Sequence, residues 1–187
     1  MSEREAQLRA ITVGELQPVS GPIELVDYDP AWPELFQREA ERIRSALGDM
    51  VLLLEHTGST SVPGLAAKPI IDMTLAVADS GDETAYLPLL EAAGYVLRIR
   101  EPEWYEHRVF KGPDVNVNLH VFSEGSPEID RMLLFRDWLR ANEADRELYE
   151  RTKRKLAAKE WTYVQDYADA KTAVIKDIDA RAFRGTS

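Results

Sequence analysis

A glycine-serine pair, Gly58-Ser59, is followed after twelve residues by Asp72. Glycine lets backbone N–H groups come close to an anion, and a serine hydroxyl can donate as well. Asp72 lies near the start of an apolar run with two-residue alternation. Ile70, Asp72, Thr74 and Ala76 therefore share one strand face, and Ile71, Met73, Leu75 and Val77 the other. A buried strand before the turn and a returning strand after it bring the polar turn and the carboxylate into one volume. Phosphates at the turn with Mg²⁺ at the carboxylate is the arrangement that phosphoryl or nucleotidyl transfer needs. Two other phosphate or nucleophile motifs fail here. Gly58 and Gly64 are separated by five residues and Leu65 follows, which breaks the Gly-x4-Gly-Lys-Ser/Thr loop. Thr60, not serine, stands two residues after Gly58, which breaks the nucleophile elbow.

The elements that must position these residues are legible as alternating strands and helices. Residues 1–22 read as a short helix and a connector, and Ile23 to Tyr28 as a short strand. Asp29 and Pro30 start a helix to Leu47, closed by Gly48. Val51 to His56 is a buried strand, and Ile70 to Val77 is its return. Asp82 to Ala93 is a helix ended by Gly94, followed by strands at Tyr95 to Ile99, His107 to Lys111 and Val115 to Phe122. Helices are expected over 127–141, 143–159 and 163–182, with a tail over 183–187. The order implies one α+β domain over 23–182, with a mixed sheet and a helical C-terminal third.

The chain has 187 residues, 44% hydrophobic and 30% charged, enough apolar surface for one core and too much for a disordered chain. It has no cysteine, which excludes disulfides and thiolate metal sites. No apolar run approaches the roughly 20 residues of a membrane span, and the charged start lacks a signal-peptide core, so a soluble, cytoplasmic protein is expected. The net charge of -10 opposes a nucleic-acid partner. Residues 131–159 nevertheless hold nine bases against five acids. That stretch is either a solvated face laced with ion pairs or a local basic face for a small anion.

At His56-Thr57-Gly58-Ser59-Thr60-Ser61-Val62-Pro63-Gly64-Leu65-Ala66-Ala67-Lys68-Pro69-Ile70-Ile71-Asp72 the sequence closely resembles the signature of the GrpB family, also called UPF0157. His107-Arg108-Val109-Phe110, Asn118 to Phe122, Leu134 to Arg140 and Tyr167 to Lys171 extend the resemblance over about residues 23–182. The resemblance implies a nucleotidyltransferase-like fold of the polymerase-β type, and a link to dephospho-CoA kinase, to which such domains are fused in some bacteria. The superfamily pattern has a second acid two residues after the first, and here that position is Thr74.

In the enzyme that this implies, NTP is the substrate and Mg²⁺ sits at Asp72. Gly58, Ser59, Lys68, Arg108 and Arg136 would hold phosphates, and Asp72 and His120 would be catalytic. The alternative is a non-catalytic module that binds a nucleotide- or CoA-like anion. Each assignment has a plainer reading beside it. Lys68 would pair with Asp72 or with a phosphate, and Arg108 and Arg136 would otherwise anchor a strand or a helix by ion pairs. His120 would otherwise be held by the backbone, and His56 shapes the turn. Tyr167 and Lys171 face the cleft edge. The 101–106 loop is a lid, or a turn whose Trp104 and Tyr105 pack on the sheet. Trp138, Trp161 and Tyr163 read as core.

Overall fold

The computed structural model describes residues 1–19 and 21–186. Five strands, β1 (Leu53–Thr57), β2 (Ile71–Val77), β3 (Val96–Glu101), β4 (His107–Lys111) and β5 (Val117–Ser123), form one sheet in the order β1-β2-β5-β4-β3. β2 and β5 run parallel at its centre, and every other pair is antiparallel. A parallel pair needs a long crossover, supplied here by a helix at Glu83–Ala92 and the β3–β4 hairpin.

One face of the sheet is the main core. Met73, Leu75, Phe110, Leu119 and Val121 are fully buried there, with Phe36, Ala40, Ile43 and Leu47 of the helix Trp32–Leu47 packed on them. The three- and four-residue spacing of those positions makes that helix amphipathic. Its entry is fixed by Asp29 Oδ1, which accepts from the Ala31 N–H at 2.8 Å, and Gly48 closes it at φ +54°.

In chain order the helices are α1 (Glu3–Ile11), α2 (Trp32–Leu47), α3 (Glu83–Ala92), α4 (Pro127–Ala141), α5 (Glu143–Ala157), α6 (Val164–Ala170) and α7 (Thr172–Gly185). α4 covers one end of the second sheet face, where Ile129, Met132 and Leu133 pack on Ala76 and Phe122. Leu139, Tyr149, Val174 and Ile178 join Val62 and Leu65 in a separate apolar cluster that fixes the C-terminal helices to the loop between β1 and β2. The other end of this face stays open. α1 lies at the β3 edge, where Thr12 bridges Ile99 and the Val13 N–H donates to Arg98 O at 2.8 Å.

The α+β class and the mixed sheet match the expectation, with three departures. Ile23 to Tyr28 is not a strand: only Val26 bridges, to Ala67. Its neighbour there is a loop, so no ladder can propagate. The expected helix over 163–182 is two helices, because the end of α6 tightens into a turn in which the Lys171 N–H donates to Ala168 O at 3.2 Å. α7 also continues to Gly185, into the expected tail.

Ile178 is fully buried in the cluster that ties α7 to the β1–β2 loop. Ile178→Ala should cost about 2–5 kcal/mol by leaving a cavity. Chemical denaturation followed by circular dichroism measures this.

Candidate functional site

The site begins where β1 turns over into β2. Thr57 and Asp72 are register partners, and Gly58 follows at φ +68°. A Cβ on Gly58 would stand 2.4 Å from Asp72 Oδ2, so only glycine lets the turn lie against the carboxylate. Gly58 thus makes room for Asp72 and is not among the residues that line the cavity described below. Ser59–Ser61 forms one 3-10 turn, in which Ser61 Oγ donates to Gly58 O at 2.5 Å. Thr60 Oγ1 donates to Ile70 O at 3.0 Å, which leaves the His56 Nε2–H to donate to Thr60 Oγ1, also at 3.0 Å. His56 stacks on Phe36 with centroids 5.0 Å apart, and burial pushes its ring down to about 4. It is a neutral histidine that shapes the turn.

The C-terminal helices hold this loop in place by polar contacts. From α5, Lys153 Nζ donates to Ser59 Oγ at 3.0 Å and to Ala66 O, while Glu150 Oε2 accepts from the Ala66 N–H at 3.0 Å. From α4, Arg136 donates to His56 O at 3.0 Å and Arg140 to Ser61 O at 2.9 Å.

Between the open sheet face and these helices lies a cavity of about 910 Å³ lined by Ser59, Lys68, Asp72, Lys111, Asn118, His120, Lys153 and Lys171, among others. All four lysines are held below their ordinary pKa, chiefly by burial, and Asp72 opposes the shift in each. Lys153 is lowered to about 7. Lys68 and Lys171 flank the Tyr167 ring, 5.8 Å and 4.7 Å from its centroid. Burial would raise the Asp72 carboxyl, but the His120 hydrogen bond and charge, Lys171 and Asn118 outweigh it and hold the group below its usual range.

Asp72 is also the end of a hydrogen-bonded row. Glu101 Oε2 lies 2.6 Å from His107 Nδ1, His107 Nε2 3.0 Å from His120 Nδ1, and His120 Nε2 3.1 Å from Asp72 Oδ1. Burial drives His107 toward its neutral form, against the pull of Glu101.

Of the residues singled out from the sequence, Ser59, Lys68, Asp72 and His120 come together in the cavity, joined by Tyr167 and Lys171. Arg108 does not. It shares the opposite sheet face with its register partner Val121 and is bound by Glu83 at 2.6 Å and Glu106 at 3.1 Å. Arg136 is also elsewhere: it clamps the β1 edge through Glu55 at 2.7 Å and its neighbour Asp137 at 2.9 Å. Both arginines are structural because carboxylates already fill their forks. Trp104 packs edge-on against His107 and lines the cavity, and Tyr163 lines it too rather than sitting in the core. Lys153 and Lys111 stand outside every motif of the sequence, while His107 belongs to one of them and Glu101 opens the 101–106 loop. For Lys153 a signal exists, since Asp145, Tyr149 and Lys153 form a buried stripe at four-residue spacing on α5.

The side chains do not fit a resident Mg²⁺. Thr74, at the second acid position, is fully buried with its hydroxyl 2.9 Å from that of Thr57. Asp72 shares the cavity with four lysines, and among the described residues no group of three or more carboxylates or histidines is placed to hold a metal ion. A hard dication needs several charged oxygens.

Two outcomes follow from these contacts. Gly58→Ala should destabilise the fold by about 1–3 kcal/mol, and Asp72→Ala should relieve part of that loss. A double-mutant cycle by urea denaturation reads the non-additivity. Glu101→Gln keeps an acceptor for His107 but removes a charge that opposes the downward shift of its ring. His107 should then lose its proton at lower pH, which its imidazole nitrogen shifts in NMR titrations will report.

The family described as GrpB protein matches residues 22–181, which leaves α1 and its connector outside the match. A UPF0157 protein of Halalkalibacterium halodurans is 64% identical over 95% of this chain and 91% of its own length. A UPF0157 protein of Streptomyces coelicolor is 48% identical over 91% of each. A dephospho-CoA kinase of Mycolicibacterium paratuberculosis is 30% identical over 89% of this chain, which spans only 47% of that longer protein. The crystal structure of conserved protein GrpB from Enterococcus faecalis superposes with a TM-score of 0.76 at 32% identity, covering 87% of this chain and 99% of that one. By sequence and by fold, this chain belongs to the GrpB family.

Proposed function

We propose that the cavity binds the phosphate groups of a nucleotide- or CoA-like anion, with lysines supplying the positive charge that a metal ion supplies elsewhere. The observation that carries this reading is the gathering of Lys68, Lys111, Lys153 and Lys171 around Ser59 and Asp72 in a chain of net charge -10. Uncompensated buried ammonium groups are costly, and an anion offsets that cost. The name dephospho-CoA kinase on longer relatives supports a ligand of this class. Nucleotidyl transfer from an NTP with Mg²⁺ is the narrower reading, and Asp72 beside the Ser59 turn favours it. The buried Thr74 hydroxyl and the surrounding lysines weigh against it.

Calorimetry with pyrophosphate, ATP and CoA in the presence of EDTA tests the reading. Binding should persist without Mg²⁺ and weaken at least tenfold in Lys153→Met, the loss of about 1.4 kcal/mol or more that a buried charge-assisted contact represents. Absence of binding by all three anions would refute it.

The lowered Lys153 pKa adds a pH dependence with a definite sign. The folded amine loses its proton near pH 7 and the unfolded amine near 10.5. Between those values the unfolded chain binds more protons, so this group's contribution to stability rises with pH over that window. A bound anion restores the charge, so binding at pH 8 should take up a proton and affinity should fall as pH rises above about 7. Calorimetry in buffers of different ionisation enthalpy measures the uptake, and Lys153→Arg should abolish it while retaining binding.

A further inference from the structure

The lysine end occupies only part of the cavity. Strand register orders the rest: Asp72 of β2 meets His120 of β5, His120 pairs with Val109, and Val109 with Ile99, so the open face runs along this row from polar at β2 and β5 to apolar at β4 and β3. Three strand spacings separate β2 from β3, about 14 Å. At the β3 end Trp104 lines the cavity while 40% exposed, with its ring edge-on to His107 at 5.0 Å and to Phe122 at 5.9 Å.

The N-terminal arm closes the same end. Ile11 and Leu16 line the cavity, and Leu8 is the one buried residue of α1, so the arm's apolar side chains serve the cavity more than any core. The arm is tied down on both sides. Thr12 and Val13 hold it to β3, Arg4 reaches Asp166 at 2.8 Å and also Asp169, and the Val19 N–H donates to Thr162 O at 2.9 Å. At this end Glu15 and Glu101 line the cavity together with Arg98 of β3, whose guanidinium donates to Glu15 O at 3.2 Å.

We infer that the cavity has a second half, in which Trp104 and the N-terminal arm receive a flat, apolar ring carried by the phosphate ligand. The inference rests on the reading that phosphates bind at the lysines. It names the ligand as a phosphate ester of an aromatic heterocycle, with the ring lying across β4 and β3 and the phosphates at Ser59. The length of the face matches such a molecule, and its polarity fixes the orientation. A volume of about 910 Å³ is in the range of small-molecule sites. The arm is then part of the binding surface.

Tripolyphosphate and ATP share the anionic head and differ in the ring, so comparing them isolates the second half. Wild type should bind ATP about tenfold or more tighter than tripolyphosphate. Trp104→Ala and Ile11→Gln should each remove most of that difference while leaving tripolyphosphate affinity unchanged, which also shows that the variants are folded. ATP, but not tripolyphosphate, should quench tryptophan fluorescence, and Trp104→Phe should abolish the quench. Equal affinity for the two probes, or an ATP preference that survives in Trp104→Ala, overturns the inference and leaves the lysine site standing. Failure of both probes to bind wild type removes the lysine reading and this inference with it.

Discussion

Crowding of like charge around Asp72 is the constraint that organises this molecule. Four ammonium groups share one cavity, burial disfavours each, and Asp72 is the common charge that opposes the penalty. Such a cluster persists only where the surrounding structure over-determines it. Lys153 shows how. Its amine bonds Ser59 and Ala66, its neighbour Glu150 bonds the Ala66 N–H, and Val62 and Leu65 of the same loop are buried among the C-terminal helices. The loop that presents Ser59 is thus shaped as much by α5 as by its own sequence. The helical third of the chain is part of the site.

Arginine and lysine divide the work. Among the described residues every ion pair found uses arginine or histidine as its cation, while four of the seven lysines in the chain line the cavity. The physical difference is the guanidinium fork. Its planar donors lock onto carboxylates in a fixed geometry, as Arg108 does with Glu83 and Arg181 with Asp145. The ammonium is a compact point charge on a flexible stem, and it can lose its proton when buried. The ion-paired cations are therefore mostly arginines here, and the cavity draws four of its cations from lysine, with Arg98 beside them.

That division explains what was legible in the sequence. The strand at 107–111 and the helix at 127–141 follow from local periodicity, and the structure has them at those residues. The Gly58-Ser59 turn and Asp72 were readable because one short loop joins them. Arg108 misled because its place depends on which sheet face it takes, and a single residue within a matched motif does not specify that. His107 and Glu101 were out of reach for a related reason. They meet His120 only because β4 lies between β3 and β5, an order set by the parallel crossover rather than by any spacing along the chain. Ile23 to Tyr28 holds strand-favouring Ile, Val and Tyr, yet such residues form a strand only where another strand lies alongside.

The same charge distribution bears on which anions can reach the cavity. The net charge of -10 repels phosphate at a distance, and at physiological ionic strength that repulsion is screened beyond about 8 Å. Inside the cavity the balance reverses within the reach of the lysines. A long polyanion must lay many phosphates on acidic exterior for each one that it places inside. A small phosphorylated molecule places all of its charge within. An acidic surface around a cationic interior therefore selects by size as well as by sign.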